Sequence, residues 1–110
     1  LLYWADFYLL FLVEARRLNN MVQVNFTSHL ETFFPTLKPQ NLMADNLKEL
    51  MEKLNQLYPG LISYLLEDNG DIRKHVNVFL DGVLIENKSN LDISLKEVSE
   101  VFILQALSGG

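Results

Sequence analysis

The chain of 110 residues contains no cysteine. That absence excludes disulfides, thiolate metal sites and a cysteine nucleophile, so any sulfur the protein handles must be held without a thiol of its own. Histidine occurs twice, at His29 and His75, far apart and without metal-ligand spacing, so both are expected as surface or strand-edge residues and not as ligands. There are five glycines and three prolines. No glycine-rich phosphate loop and no Gly-x-Ser-x-Gly elbow is present. Basic residues are also few: nine Lys and Arg against fourteen Asp and Glu give a net charge of −5. Phosphate contacts need clustered cations, so nucleic acid is a poor partner and a basic protein surface a better one. Long apolar runs are missing too. The uncharged stretch from Phe7 to Val13 falls well short of the ~20 residues a spanning helix needs, and it has neither the basic flank nor the cleavage site of a signal peptide. A membrane role is therefore not expected, and the cytoplasm is the expected compartment.

What remains has the composition of one folded domain: 49% apolar, 11% aromatic and 21% charged residues. Residues 1–20 read as an apolar extension outside it, such as an upstream reading-frame artefact, and the domain is expected over residues 21–110. Asp6 and Glu14 balance Arg16 and Arg17, so the acidic excess belongs to that domain. Val22, Val24 and Phe26 alternate with Gln23, Asn25 and Thr27, the period of a half-buried strand. A weaker strand is expected between Phe33 and Met43, where Pro35 and Pro39 confine it to an edge.

Leu47, Leu50, Met51, Leu54, Leu57 and Tyr58 recur at helical spacing, with Asn46 as N-cap, Glu49 three residues on as in a capping box, and Pro59-Gly60 as the stop. A further helical turn is expected over Leu61–Leu66, and a tight turn at Asp68-Asn69-Gly70. The acidic cluster of Glu67, Asp68 and Asp71 around that turn reads as a solvated loop. Val76, Val78 and Leu80 alternate again, and Asp81-Gly82 before Val83-Leu84-Ile85 predicts a hairpin with positive φ in its turn. A last strand is expected over Val101–Leu104. The order is strand, strand, helix, strand, short strand, strand, an α+β layout with one main helix covering one face of a sheet. Asn25-Phe26-Thr27 and Asn87-Lys88-Ser89 match the glycosylation triplet, a short pattern that means little without a secretion signal.

The sequence ends Ser108-Gly109-Gly110. At an average glycine usage of about 7%, a chance Gly-Gly pair has odds of roughly one in two hundred. Two residues without Cβ let an extended tail enter a narrow channel and leave the last carbonyl open to attack. If Val101 and Ile103 face the helix, Phe102 and Leu104 project from the opposite sheet face, where Leu84 of the hairpin can join them. Such a patch is read either as a partner surface or as one buried under residues 1–20 or within an ordinary core edge.

Leu47-Lys48-Glu49-Leu50 opening the helix, Leu57-Tyr58-Pro59-Gly60 ending it, Val76-Asn77-Val78-Phe79-Leu80-Asp81-Gly82, and the closing run from Val101 to Gly110 together resemble the MoaD/ThiS family of ubiquitin-like sulfur carriers. The stretch from Asp68 to Val78 is most similar to its longer, CysO-like branch. The resemblance covers residues 21–110 and implies a β-grasp fold with a mixed sheet. It further implies a carrier that is a substrate of enzymes and not itself one, as in the small subunit of molybdopterin synthase. In that family a ubiquitin-activating-type adenylyltransferase adenylates the terminal carboxylate with ATP and magnesium, and sulfur replaces the adenylate to give a thiocarboxylate. Carried to this chain, the activated carbonyl is that of Gly110, Ser108 and Gly109 form the tail entering the partner, and Leu84, Phe102, Leu104 and Leu107 form the partner-binding surface.

No cofactor or metal is expected on the chain itself. The implied acceptors are a sulfurtransferase or a synthase of the molybdopterin (large subunit), thiazole or cysteine type. A ubiquitin-like modifier joined to lysines through Gly110, or a non-catalytic interaction module, fits the same residues. Two positions depart from the family pattern: Val98-Ser99 stands where a Gly-Asp turn usually leads into the last strand, and Gln105 stands where a proline usually precedes the tail.

Overall fold

Alternation and helical spacing produce the elements in the expected order. The computed structural model describes residues 21–105. Strand β1 (Met21–Phe26) is followed by a four-residue helix α1 (Ser28–Glu31), edge strand β2 (Gln40–Met43), helix α2 (Leu47–Leu57) and helix α3 (Leu61–Leu65). Then come β3 (Val76–Leu80), β4 (Val83–Leu84) and β5 (Glu100–Gln105). The five strands form one sheet in the order β2-β1-β5-β3-β4. The central pair β1–β5 is parallel, with Val24 opposite Val101 and Phe26 opposite Ile103; the other pairs are antiparallel. This is the mixed α+β sheet of a β-grasp.

One face of the sheet is the core. Val22, Val24, Val76, Val78, Val101 and Ile103 point to the helical side and are buried, against Leu47, Leu50, Met51 and Leu54 of α2 and Leu61 and Leu65 of α3. Asn46 caps α2 as expected, its Oδ1 accepting from Glu49 N at 2.8 Å. The reciprocal half of the box is shifted by one residue, since Glu49 Oε2 accepts from Asp45 N at 3.1 Å. Two further amides at the helix start find acceptors in a distant loop: Leu47 N donates to Ile93 O and Lys48 N to Leu91 O. Leu95, from that loop, is fully buried.

Gly60 ends α2 in the left-handed region at φ +94, and Asn55 Oδ1 accepts from Gly60 N and Ile62 N across the turn into α3. Two expectations change in detail, and one short helix is new. The weak strand contracts to Gln40–Met43, beyond both prolines and at the sheet edge. Leu57, assigned to the apolar helix face, is 50% exposed, because it sits at the flank of the stripe. The neighbouring Tyr58 is buried as expected, its hydroxyl accepting from Gln40 Nε2 at 2.8 Å. Helix α1 carries no sequence signal, yet it places Leu30 in the core.

Candidate functional site

The sheet face opposite the helices is where the sequence places a partner surface. Alternation along β5 leaves Phe102 and Leu104 on this face while Val101 and Ile103 go inside. Register then decides their neighbours. Phe102 lies directly opposite Phe79 of β3, and the two rings meet edge-on with centroids 6.5 Å apart. Leu104 lies opposite Asn77, and Leu84, 42% exposed, lies opposite Phe79 on its other side. Phe79, Gly82, Glu100, Phe102 and Leu104 line a shallow groove of about 410 Å³. Phe102 and Leu104 thus line the groove, and Leu84 sits beside it as the register neighbour of Phe79. Leu107, Ser108, Gly109 and Gly110, together with residues 1–20, lie outside the described residues.

Phe79 and Glu100 are additions to the expected surface. The alternation that buries Val76 and Val78 already puts Phe79 on the far face; its contact with Phe102 depends on the β3–β5 register, for which no local signal exists. The same holds for Asn25, whose Nδ2 donates to Glu100 Oε2 at 2.9 Å across the β1–β5 pair.

The hairpin beside the groove fixes the start of β5. Asp81 and Gly82 both have positive φ, +49 and +82, as a tight two-residue turn requires. The Asp81 carboxylate accepts from Ser99 N at 3.1 Å and from Glu100 N at 2.8 Å, and Asp81 N donates to Glu100 O at 2.9 Å. Val98-Ser99, the departure noted above, is therefore served by a carboxylate from the neighbouring hairpin. At the other end of β5, Thr27 N donates to Ile103 O and Gln105 N to Thr27 Oγ1, so the strand is held to its last described residue. The strand that leads toward the Gly-Gly sequence is the middle one of the sheet.

Several of the remaining candidates for chemistry have structural roles. Glu67, Asp68 and Asp71 surround a turn in which Gly70 N donates to Glu67 O, Asp71 N donates to Asn69 Oδ1, and Glu67 pairs with Arg73 at 3.2 Å. His29 packs edge-on against Phe33, with centroids 5.7 Å apart. Among the described residues no group of three or more acidic, histidine or cysteine side chains is placed to hold a metal ion. Glu49 has its carboxyl below the ordinary range, because Asp45 N donates to it and Lys53 pairs with it at 3.2 Å. That exposed group belongs to the helix cap. No described helix is long and apolar enough to cross a membrane.

The model of the ThiS family matches residues 30–110, which takes in the groove strands, the hairpin and the Gly-Gly sequence. The chain belongs to the ThiS family. Solved structures agree on the fold of this ThiS-family chain. A chain in the crystal structure of the Amycolatopsis orientalis BexX/CysO complex superposes with a TM-score of 0.68 at 19% identity, over 81% of this chain and 99% of that one. CysO of Mycobacterium tuberculosis gives 0.66 at 20% identity, over 78% and 99%. The small archaeal modifier protein 1 of Methanosarcina acetivorans gives 0.64 at 23% identity, over 82% and 96%. No curated protein matches the chain. At these identities the structural likeness establishes the ubiquitin-like β-grasp, and the family match ties this ThiS-family chain to its carriers.

Proposed function

We propose that the chain is a sulfur carrier whose reactive group is the carboxylate of Gly110. The observation that carries this reading is the ThiS-family match running through residue 110, behind a central strand that leads to Ser108-Gly109-Gly110. An adenylyltransferase of the ubiquitin-activating type, using ATP and magnesium, forms the acyl-adenylate and releases pyrophosphate. Sulfide, or an equivalent sulfur donor, then attacks the carbonyl and expels AMP, leaving a thiocarboxylate. In this reading the catalytic groups come from the partners. The chain contributes a tail slim enough to reach them and a face that docks beside it.

Five residues beyond Gln105 span at most about 17 Å, so the activating site and the docking face must lie within that reach of each other on the partner. Phe102 and Leu104, on the strand that feeds the tail, form the docking face together with Phe79, Leu84 and Leu107. The consumer of the thiocarboxylate is a synthase that builds a sulfur-containing cofactor or cysteine, in the manner of molybdopterin, thiazole or cysteine synthases.

The test is the intact mass of the full chain after incubation with a candidate activating enzyme, ATP, magnesium and sulfide. Replacement of one oxygen by sulfur at Gly110, lost when Gly109 and Gly110 are deleted, is the expected result. An unchanged mass with every activating enzyme encoded beside the chain's own gene refutes the reading. The fold likeness to a small archaeal modifier protein favours one second reading, in which lysine amines attack the same activated carbonyl. A ladder of conjugates that needs Gly110 would identify it.

A further inference from the structure

The docking face carries one ionisable group, on the first residue of β5. Of the residues lining the groove, Glu100 alone is charged; the others are Phe79, Gly82, Phe102 and Leu104. Its orientation is set by Asn25, which donates through Nδ2 to Oε2 at 2.9 Å. Asn25 in turn lies opposite Phe102 in the register of β1 with β5. Donation through Nδ2 leaves two acceptors, Asn25 Oδ1 and Glu100 Oε1, that take no hydrogen bond from any described residue. The ion pairs among the described residues are Lys53 with Glu49 and Arg73 with Glu67; neither involves Glu100.

A carboxylate in an apolar groove opposes docking of a purely apolar partner, because covering it strips its water without return. The same carboxylate favours a partner that brings a cation, and the net charge of −5 acts in the same direction. Between the two cationic side chains, the acceptors select arginine. Its planar guanidinium presents several donors in a fork that can meet an amide oxygen and a carboxylate oxygen together. It is also more weakly hydrated than an ammonium and stacks on aromatic rings, here that of Phe102.

We propose that this face receives an arginine-bearing apolar segment of a protein partner, with an aromatic or aliphatic side chain across Phe79, Phe102 and Leu104 and a guanidinium on the Asn25–Glu100 pair. The inference rests on the reading of this face as a docking surface, and it names the chemistry of what docks there.

The experiment is an NMR titration of the full chain with phenethylguanidinium, with phenethylammonium and phenethyl alcohol as comparators. None of these probes requires activation of the tail, so its outcome is independent of the intact-mass test. Shifts are expected at Phe79, Phe102, Leu104 and the Asn25 side-chain amide, with the guanidinium binding about threefold tighter than the alcohol. Glu100→Gln should remove that advantage and leave alcohol binding unchanged, and Asn25→Ala should reduce the preference for guanidinium over ammonium. The spectrum of each variant reports directly whether the fold is intact. Equal affinity for the three probes, absence of binding, shifts centred elsewhere, or an advantage that survives Glu100→Gln would overturn the proposal. So would tighter guanidinium binding by the full-length double variant Arg16→Gln/Arg17→Gln, since the chain's own arginines would then be the occupant. Unchanged binding by that variant supports an external partner.

Discussion

Replacing Asp81 tests how the strand beneath the Phe79–Phe102 groove is anchored. Its carboxylate accepts two backbone N–H groups, from Ser99 and Glu100, and its own φ is +49. Hydrogen bonds to a charged acceptor contribute about 1.5–3 kcal/mol when shielded, and these are exposed, so water recovers part of each when the carboxylate is lost. Asp81→Asn tolerates the left-handed backbone and keeps one acceptor oxygen, so it should cost about 1 kcal/mol. For a domain of this size that is a fall in Tm of roughly 4–8 °C. Asp81→Gly loses both bonds with no backbone strain and should cost about 2 kcal/mol. Asp81→Ala loses both and adds the left-handed penalty of about 1 kcal/mol, making it the worst of the three. Thermal unfolding followed by circular dichroism gives the order, and hydrogen exchange at Ser99 and Glu100 amides locates the effect. If all three variants melt with the wild type, or if those amides exchange no faster, the carboxylate does not anchor β5 and the reasoning fails.

Three other perturbations have defined outcomes. Leu95→Ala empties a fully buried site supplied by a loop and should destabilise by about 2–5 kcal/mol in chemical denaturation, as a core leucine would and a loop residue would not. Asn46→Ala removes the acceptor for Glu49 N and should cost about 1 kcal/mol by the same measurement, with most of it recovered in Asn46→Asp. Glu49 has its carboxyl held below 4.5 in the folded chain, so its contribution is present above that pH and is lost as pH falls through the lowered value. Glu49→Gln should therefore flatten the acid limb of the stability profile below about pH 4.5; an acid limb identical to that of the wild type would contradict the assignment.

Local chemistry made much of the fold legible in sequence. The cap at Asn46, the stop at Pro59-Gly60 and the turn at Asp81-Gly82 are set by residues within a few positions of one another, and each is found where the residues place it. Pro35 and Pro39 pointed to an edge strand for the same reason: a missing N–H is a local fact. What escaped depends on distant partners. Leu95 has no periodicity around it, and its burial follows from the loop crossing the start of α2, where Ile93 and Leu91 supply carbonyl acceptors. Helix α1 is a single turn, too short for a 3.6-residue repeat to show. At the groove, alternation found Phe102 and Leu104, while the Phe79 contact and the Asn25–Glu100 bond needed the pairing of β5 with both neighbours.

That pairing also bears on how the chain folds. Asn25 and Glu100 are 75 positions apart, yet they sit on adjacent strands at the middle of the sheet. Until β5 inserts, β1 and β3 have no common neighbour, and the cost of closing so long a loop is met before its contacts form. Phe79 and Phe102 become neighbours as soon as β5 pairs with β3, whereas the bond between Asn25 and Glu100 waits until β5 also reaches β1. The apolar side of the groove is therefore set by a shorter closure than the polar rim beside it, and the two coexist only once the sheet is complete.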